Sequence, residues 1–473
     1  MRILRIIMSN KNMLNVYNPY SNELIAELKT TTKKQVEKHI IDAVLGQKTW
    51  SDLPLSSRAN VLYKFLTLVE DEKDKLSSLL SQESGKPIKE AQAEINNIAI
   101  GFLAFIEKAK HLYDTSFPGT SEAGQASNLQ ITTREPLGVV ACILPFNFPC
   151  DLFCQKVAPA LMMGNSVIVL PSTNNPLTVR ELVKLLKKAG VPEDAIHCLI
   201  GEGRDIGPVL TQHPDVNMVT FTGSTPVGLE IADICASRLA HVALELGGND
   251  AFIVCEDADI DLAVKEMIWG RMYNSGQVCC ASKRFIIHKA KVDTFIEKSI
   301  AQLQQLNLGS PQDESTDFGC LISEQAAVSV ERQVALTIEQ GGKLVFGGTR
   351  EGACYSPTII TDIPVTADVA SNMEIFGPVV SIIPFETEEE AIRIANASIY
   401  ALSACVFSTD YKKAIAYSKQ IECGVFVVNG ASFYRSFEIP FCGHKMSGFG
   451  SEGVSSTLEE MSKVKSLILK DVY

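Results

Sequence analysis

The chain has 473 residues, 46% hydrophobic and 21% charged, an ordinary globular composition with apolar material for more than one core. Lys plus Arg total 43 against 55 for Asp plus Glu, a net charge of −12, so neither nucleic acid nor an anionic membrane surface is an expected partner. No run approaches the roughly 18 apolar residues of a membrane span. The 13 cysteines are odd in number and lack a CxxC pair, which fits neither a disulfide framework nor a zinc site. Free thiols in that quantity suit a reducing cytoplasm, and no metal is expected. The opening run from Met1 is too short for a signal-peptide core, and Met8 is an alternative start.

Residues 33–48 and 56–114 read as helices, with apolar side chains at three-to-four spacing such as Leu62, Phe65, Leu66 and Val69. From 138 the pattern changes. Apolar strands at 138–145, 166–171, 196–200, 217–221 and 241–245 alternate with helices opening near Pro149 and over 177–189, about 205–212 and 226–238. Strands that are apolar throughout, separated by helices, predict a parallel sheet covered on both faces. A second round follows: strands at 251–254 and 284–288, helices at 259–274 and 291–306, then mixed patterns over 343–428. Two α/β units are expected, dividing near Gly247–Gly248. Residues 118–137 and 455–473 fit neither unit.

Four loops attract attention. Cys279 lies in a Gly-containing loop between a helix and a strand, a suitable place for a nucleophile, although a buried structural thiol is the plainer reading. Its neighbour Cys280 reads as packing. Glu245 ends an apolar strand just before two glycines; part-burial raises the pKa of such a carboxylate and fits it for general-base work, and an ion-paired or capping role is an equal alternative. Asn147, between a strand and Pro149, offers an amide to a developing oxyanion, while Asn is also common in such turns. Gly223 in Phe221-Thr222-Gly223-Ser224 turns the chain into a helix whose free N–H groups suit a phosphate, but this is not the GxGxxG fingerprint.

Taken together, Pro145-Phe146-Asn147-Phe148-Pro149, Phe221–Ser224, Glu245–Gly248, Gly276-Gln277-Val278-Cys279, Glu374–Pro378 and Pro440–Gly450 stand in the order and spacing of the aldehyde dehydrogenase superfamily. The resemblance runs from Asn18 nearly to the C-terminus. It implies two Rossmann-like parallel-sheet domains plus a small oligomerisation sheet: residues 1–117 and 138–247 binding NAD or NADP, 248–454 catalytic, and 118–137 with 455–473 in the oligomerisation sheet of a homodimer or homotetramer. By the same resemblance Cys279 is the nucleophile, Glu245 the general base and Asn147 the oxyanion donor. Phe146, Pro171, Ser172, Thr173, Gly223, Ser224, Gly247, Glu374 and Phe376 would form the cofactor cleft, with Glu374 on the nicotinamide ribose and Ser224 at the pyrophosphate.

The chain departs from the family's pattern at several points. Leu170 and Thr173 replace the Lys and Glu that usually meet the adenine ribose, Cys442 stands where Gly is usual, and Phe146 replaces a common Trp. Arg435 resembles the subset that acts on short anionic or hydroxylated aldehydes. Its guanidinium fits a carboxylate tail, with an ion pair to Glu438 as the structural alternative. Val278, where phosphate and phosphonate enzymes usually carry Arg, disfavours a dianionic head. Succinate semialdehyde is therefore the first expected substrate and a lactaldehyde-like hydroxyaldehyde the second. The alternatives are an acylating, coenzyme A-dependent enzyme, which generally lacks the base, and a dehydrogenase for glyceraldehyde 3-phosphate or for phosphonate- or sulfonate-bearing aldehydes.

Overall fold

The structure, a computed structural model, describes residues 12–473; the choice between Met1 and Met8 as the start lies outside the described residues. Helix Lys33–Ser51 opens on a capping box, in which the Thr32 side chain accepts from the Gln35 N–H and the Gln35 side chain accepts from that of Thr32. The long helical region that follows breaks into Leu55–Asp71, Lys73–Ser84 and Ile88–Ala109. The second break falls at Gly85, which takes the left-handed conformation (φ +76°) and stops its helix, followed by Pro87.

The strand–helix alternation builds two sheets. In the first, strands run in the order Gly448–Phe449, His241–Glu245, Val216–Thr222, Val139–Ile143, Ser166–Leu170, Ile196–Cys198, all parallel but the first. Successive side chains of a strand face opposite sides. Val139 and Ala141 pack with Val36, Ile40 and Leu210 on one face, while Val140 and Cys142 pack with Phe153, Leu182 and Ile95 on the other. This explains why the strands are apolar throughout. The second sheet, of seven strands, runs Lys343–Phe346, Thr358–Thr361, Val379–Phe385, Ser282–His288, Asp250–Val254, Ser403–Phe407, Val425–Val428, antiparallel only at Lys343–Phe346. Strand Gly448–Phe449 crosses from the second half of the chain to pair beside Glu245, with Gly448 opposite it.

Thr115–Pro118, Leu129–Pro136 and Ser462–Leu469 form a separate antiparallel three-stranded sheet that draws on both poorly fitting segments. The predicted helix over 259–274 is shorter than expected. Regular α-helix ends at Met267, and the chain loosens into a wider π-type turn at Ile268–Met272, then a tight turn at Tyr273–Gly276. Apolar spacing continues past Met267 because these turns are buried, so periodicity alone overruns the helix end. Among the described residues no helix is long and apolar enough to cross a membrane.

Candidate active site

The tight turn before Cys279 is strained. Asn274 and Ser275 are both left-handed (φ +49° and +54°) and buried, a conformation that must be held by its surroundings. The Asn274 backbone N–H donates to Glu90 Oε2 at 2.9 Å, and its side-chain Nδ2 donates to the Asn147 carbonyl at 3.0 Å. Lys86 Nζ donates to the same carbonyl at 2.9 Å and pairs with buried Glu94. Glu94 in turn accepts the Cys150 N–H at 2.8 Å, at the start of helix Pro149–Met162. Three charged residues from the Lys86–Glu94 stretch thus fix the Asn147 and Cys279 loops together. Asn147 is held by its backbone, and its side-chain amide makes no hydrogen bond to another described residue.

Two cavities meet at this point, and Asn147, Thr222 and Cys279 line both. The first, about 340 Å³, is bordered by Glu245, Arg435, Asp151, Gln155 and aromatic rings including Trp269 and Phe433. The second, about 420 Å³, contains every residue expected at the cofactor: Phe146, Pro171, Ser172, Thr173, Gly223, Ser224, Gly247, Glu374 and Phe376.

Electrostatics distinguish the two vicinal cysteines. The Cys280 thiol, with Lys283 and Arg435, draws Cys279 down to about 7 against the opposing effect of burial. Cys280, packed with Val278, Ala281, Leu402 and Phe441, is pushed well up by its neighbour and by burial. Glu245 is only 5% exposed and its Oε2 has no partner among the described residues. Burial, then the nearby Glu452, raises its pKa well above the usual carboxylate value.

Arg435 does not pair with Glu438. It lies in the first cavity, bonds to Glu452 and stacks its guanidinium 4.3 Å from the Phe441 ring centre. The Glu438 alternative assumed a surface loop. The chain instead carries Arg435 inward, where Glu452 also accepts from Lys156 Nζ at 2.8 Å. Although burial opposes it, Lys156 and Arg435 hold Glu452 down to about 2, as a carboxylate.

The second cavity suits a dinucleotide. Helix Thr225–Ser237 begins at its wall with Ser224 as N-cap, and no side-chain cap takes up the first-turn N–H groups. A Cβ added at Gly247 would stand 2.7 Å from Glu374 Oε2 and 3.3 Å from the Tyr400 ring, so a side chain there would push the Glu374 carboxylate from its place. Glu374 Oε1 is held by the Gly248 N–H at 3.3 Å and Lys283 Nζ at 3.1 Å, and Phe376 meets Phe146 edge-to-face at 5.9 Å. Lys283 also donates to the Cys279 carbonyl, so one buried cation touches both the Cys279 loop and Glu374.

The aldehyde dehydrogenase family profile matches residues 6–467. The chain belongs to the aldehyde dehydrogenase family. It is 35% identical over 465 residues to a lactaldehyde dehydrogenase of Methanococcus aeolicus, covering 97% of this chain and 98% of the relative. It is 36% identical over 457 residues to a 3-sulfolactaldehyde dehydrogenase of Priestia aryabhattai, covering 96% and 94%. A crystal structure of glyceraldehyde-3-phosphate dehydrogenase GapN from Methanocaldococcus jannaschii, complexed with NADP, superposes with a TM-score of 0.93 at 36% identity, covering 98% of this chain and 100% of that one. The protein is an NAD(P)-dependent aldehyde dehydrogenase of the α/β class.

Sequence reasoning missed Lys86, Glu90, Glu94, Lys156, Lys283 and Glu452. For Glu90 and Glu94 a signal existed. They share a helix face with Ala91, Ile95 and Ile98, all buried, and acidic side chains on the core face of a helix need a buried partner. Nothing local marked Lys283 or Glu452.

Proposed function

We propose that this enzyme oxidises a short 2-hydroxyaldehyde of the lactaldehyde kind to its carboxylic acid. The observation that carries this is the Arg435–Glu452 pair. Succinate semialdehyde comes first only for an Arg435 whose guanidinium is free to meet a carboxylate. With its charge taken up by Glu452, the guanidinium offers a carboxylate tail much less, and the substrate must compete with an internal ion pair. The cavity instead presents polar atoms without partners among the described residues, Asp151 Oδ1 and Gln155 Oε1. Burial, then Glu94, raises Asp151 to about 7, so a carboxyl donor is available to a hydroxyl near neutral pH. The names of the relatives support the same class.

The Cys279 thiolate adds to the aldehyde carbon. The resulting oxyanion is met by the Asn147 amide and the Cys279 backbone N–H. Ser224, Glu374 and Phe376 would hold NAD or NADP in the second cavity, where the nicotinamide would supply the hydride acceptor. Loss of hydride leaves a thioester on Cys279. Glu245 takes a proton from water, the hydroxide displaces the thiolate, and the acid departs. A Glu245 whose Oε2 has no hydrogen-bond partner among the described residues, in the same cavity as Cys279, supports hydrolysis over acyl transfer to coenzyme A.

The two large sheets serve as cofactor and catalytic domains, and the three-stranded sheet joins subunits into a homodimer or homotetramer. The exposed apolar side chains of Val464, Leu467, Ile468 and Leu469 support that role. The experiment is a panel of lactaldehyde, 3-sulfolactaldehyde, succinate semialdehyde and butanal, assayed with NAD and NADP, with and without coenzyme A. Lactaldehyde giving the highest kcat/KM, independent of coenzyme A, is the expected result. Succinate semialdehyde leading by tenfold or more would overturn the substrate assignment.

A further inference from the structure

Helix Lys33–Ser51 lies against the loop and edge strand at Asp194–Cys198, and the approach is close. A Cβ added at Gly46 would stand 2.2 Å from the Asp194 carbonyl carbon. That contact brings His39 and Asp42, about one turn apart on the helix, opposite His197 in strand Ile196–Cys198. One ligating atom from each of the three side chains lies within 4.8 Å of the other two.

We propose that His39, Asp42 and His197 form a binding site for one divalent transition-metal ion of the zinc, cobalt and nickel class. Two imidazoles and a carboxylate are a donor set suited to these ions. Donors around a tetrahedral ion stand about 3.3 Å apart, at metal–ligand bonds of about 2.0 Å. The His39 and His197 rings lie 4.5 Å apart between centroids at 37°, so binding requires both imidazoles to rotate until their nitrogens converge. Two further observations point the same way. His39 Nδ1 is buried without a hydrogen-bond partner among the described residues, a cost that a ligand would remove. His197 Nε2 donates to the Asp194 carbonyl at 3.2 Å. That hydrogen bond leaves Nδ1 with its lone pair for a metal, and an imidazole oriented by a carbonyl on its far nitrogen is the usual support of a metal ligand.

The local cations do not block the site. Lys187 is paired with Glu193 at 2.6 Å. Lys38 holds Asp42 Oδ2 at 2.5 Å from a side chain 71% exposed, a surface contact that a metal displaces cheaply, and Oδ1 is separate from it. The site also sits near the cofactor cleft. Past His197 the chain runs to Gly201 and Gly203, which line that cavity. Thr31, next to the helix cap, is tied to Ile200 by two hydrogen bonds at 2.6 and 3.0 Å. A bound ion would clamp the helix to the edge of the cofactor-binding sheet. The expectation of no metal rested on cysteine spacing; these ligands come from segments far apart in the chain.

The test is titration of the EDTA-treated full-length protein with Co²⁺. One equivalent should bind, with d–d absorption, no thiolate-to-cobalt charge-transfer band and a raised melting temperature. The missing thiolate band separates this site from the 13 cysteines. His197→Gln and Asp42→Asn should each weaken binding by at least about tenfold, the lower end of what disturbing a metal site's support costs. Asp42→Asn changes a partly exposed carboxylate, and its melting temperature in EDTA, compared with wild type, separates ligand loss from misfolding. No stoichiometric cobalt, a band that reports sulfur ligation, or unchanged affinity in both variants would overturn the proposal.

Discussion

Cys279 and Cys280 are adjacent in sequence and opposite in chemistry. Cys279 faces both cavities and is drawn down to about 7, while its neighbour is held up. A thiol with a lowered pKa is protonated below that value and ionised above it. Alkylation of Cys279 by iodoacetamide should therefore rise through pH 7 and level off near pH 8. Cys279→Ala should abolish oxidation of every aldehyde tested, because no covalent adduct forms. Cys280→Ala should keep turnover at pH 9 but move the alkylation limb upward, since the thiol that most favours the Cys279 thiolate is gone. Equal loss in both variants at pH 9 would mean that the wrong thiol has been named. Glu245 carries the opposite sign. Its raised pKa keeps it protonated until the pH rises, so deacylation should accelerate on the alkaline side. Glu245→Gln should release one equivalent of reduced cofactor and then stall, with steady-state turnover down about 10²–10⁴-fold. Stopped-flow absorbance resolves the two phases, and unimpaired steady-state turnover would remove Glu245 from the mechanism.

At the scale of elements, strands and helices with one dominant period were legible and buried turns were not. Val139–Ile143 and Ser166–Leu170 are apolar on both faces because both faces are covered, and that pattern reads directly from sequence. The Met267–Gly276 stretch does not, because its irregular turns are as buried as a helix. The proposed site residues stand in the sequence as separate motifs, while an ion pair such as Lys156–Glu452 joins residues 296 positions apart that no local pattern connects. Arg435 lines the first cavity, and its partner is Glu452 across that cavity rather than Glu438 three residues away. The Lys86–Glu94 pair, of which the core-face position of Glu94 is the one sequence signal, gives an element-scale prediction. Glu94 neutralises Lys86 and accepts the first-turn N–H of Cys150. Glu94→Ala leaves a buried cation unpaired and should destabilise the protein by about 3–5 kcal/mol. Lys86→Met in the same background removes the stranded charge and should restore part of that loss. Denaturant unfolding of the single and double variants measures both, and a single variant as stable as wild type would contradict this account of the scaffold.

At the scale of the whole molecule, the proposed cofactor cleft draws on both large sheets. Gly223, Ser224 and Thr173 come from the first sheet and its loops, while Glu374 and Phe376 come from the connection leading into the second. A dinucleotide bound there contacts both halves and the unfolded chain offers it nothing comparable, so binding should raise the melting temperature. At about a hundredfold excess over Kd the stabilisation is about 2.7 kcal/mol. The adenine end sets how NAD and NADP compare. A carboxylate at position 173 would accept from the ribose 2′-hydroxyl and repel a 2′-phosphate; Thr173 does neither strongly. Leu170 is apolar where a cation would favour either ribose. Glu374 is the only acidic group lining this cavity among the described residues, and no Lys or Arg lines it. Neither cofactor is therefore strongly rejected or strongly selected. Thermal shifts with NAD and NADP over the same concentration series should give affinities within about a thousandfold, or about 4 kcal/mol. Thr173→Glu should tilt the ratio toward NAD, because a carboxylate in this cavity would repel a 2′-phosphate and accept from a 2′-hydroxyl. A wild-type preference beyond that limit, or a Thr173→Glu variant with an unchanged ratio, would show that cofactor choice is made elsewhere in the cleft.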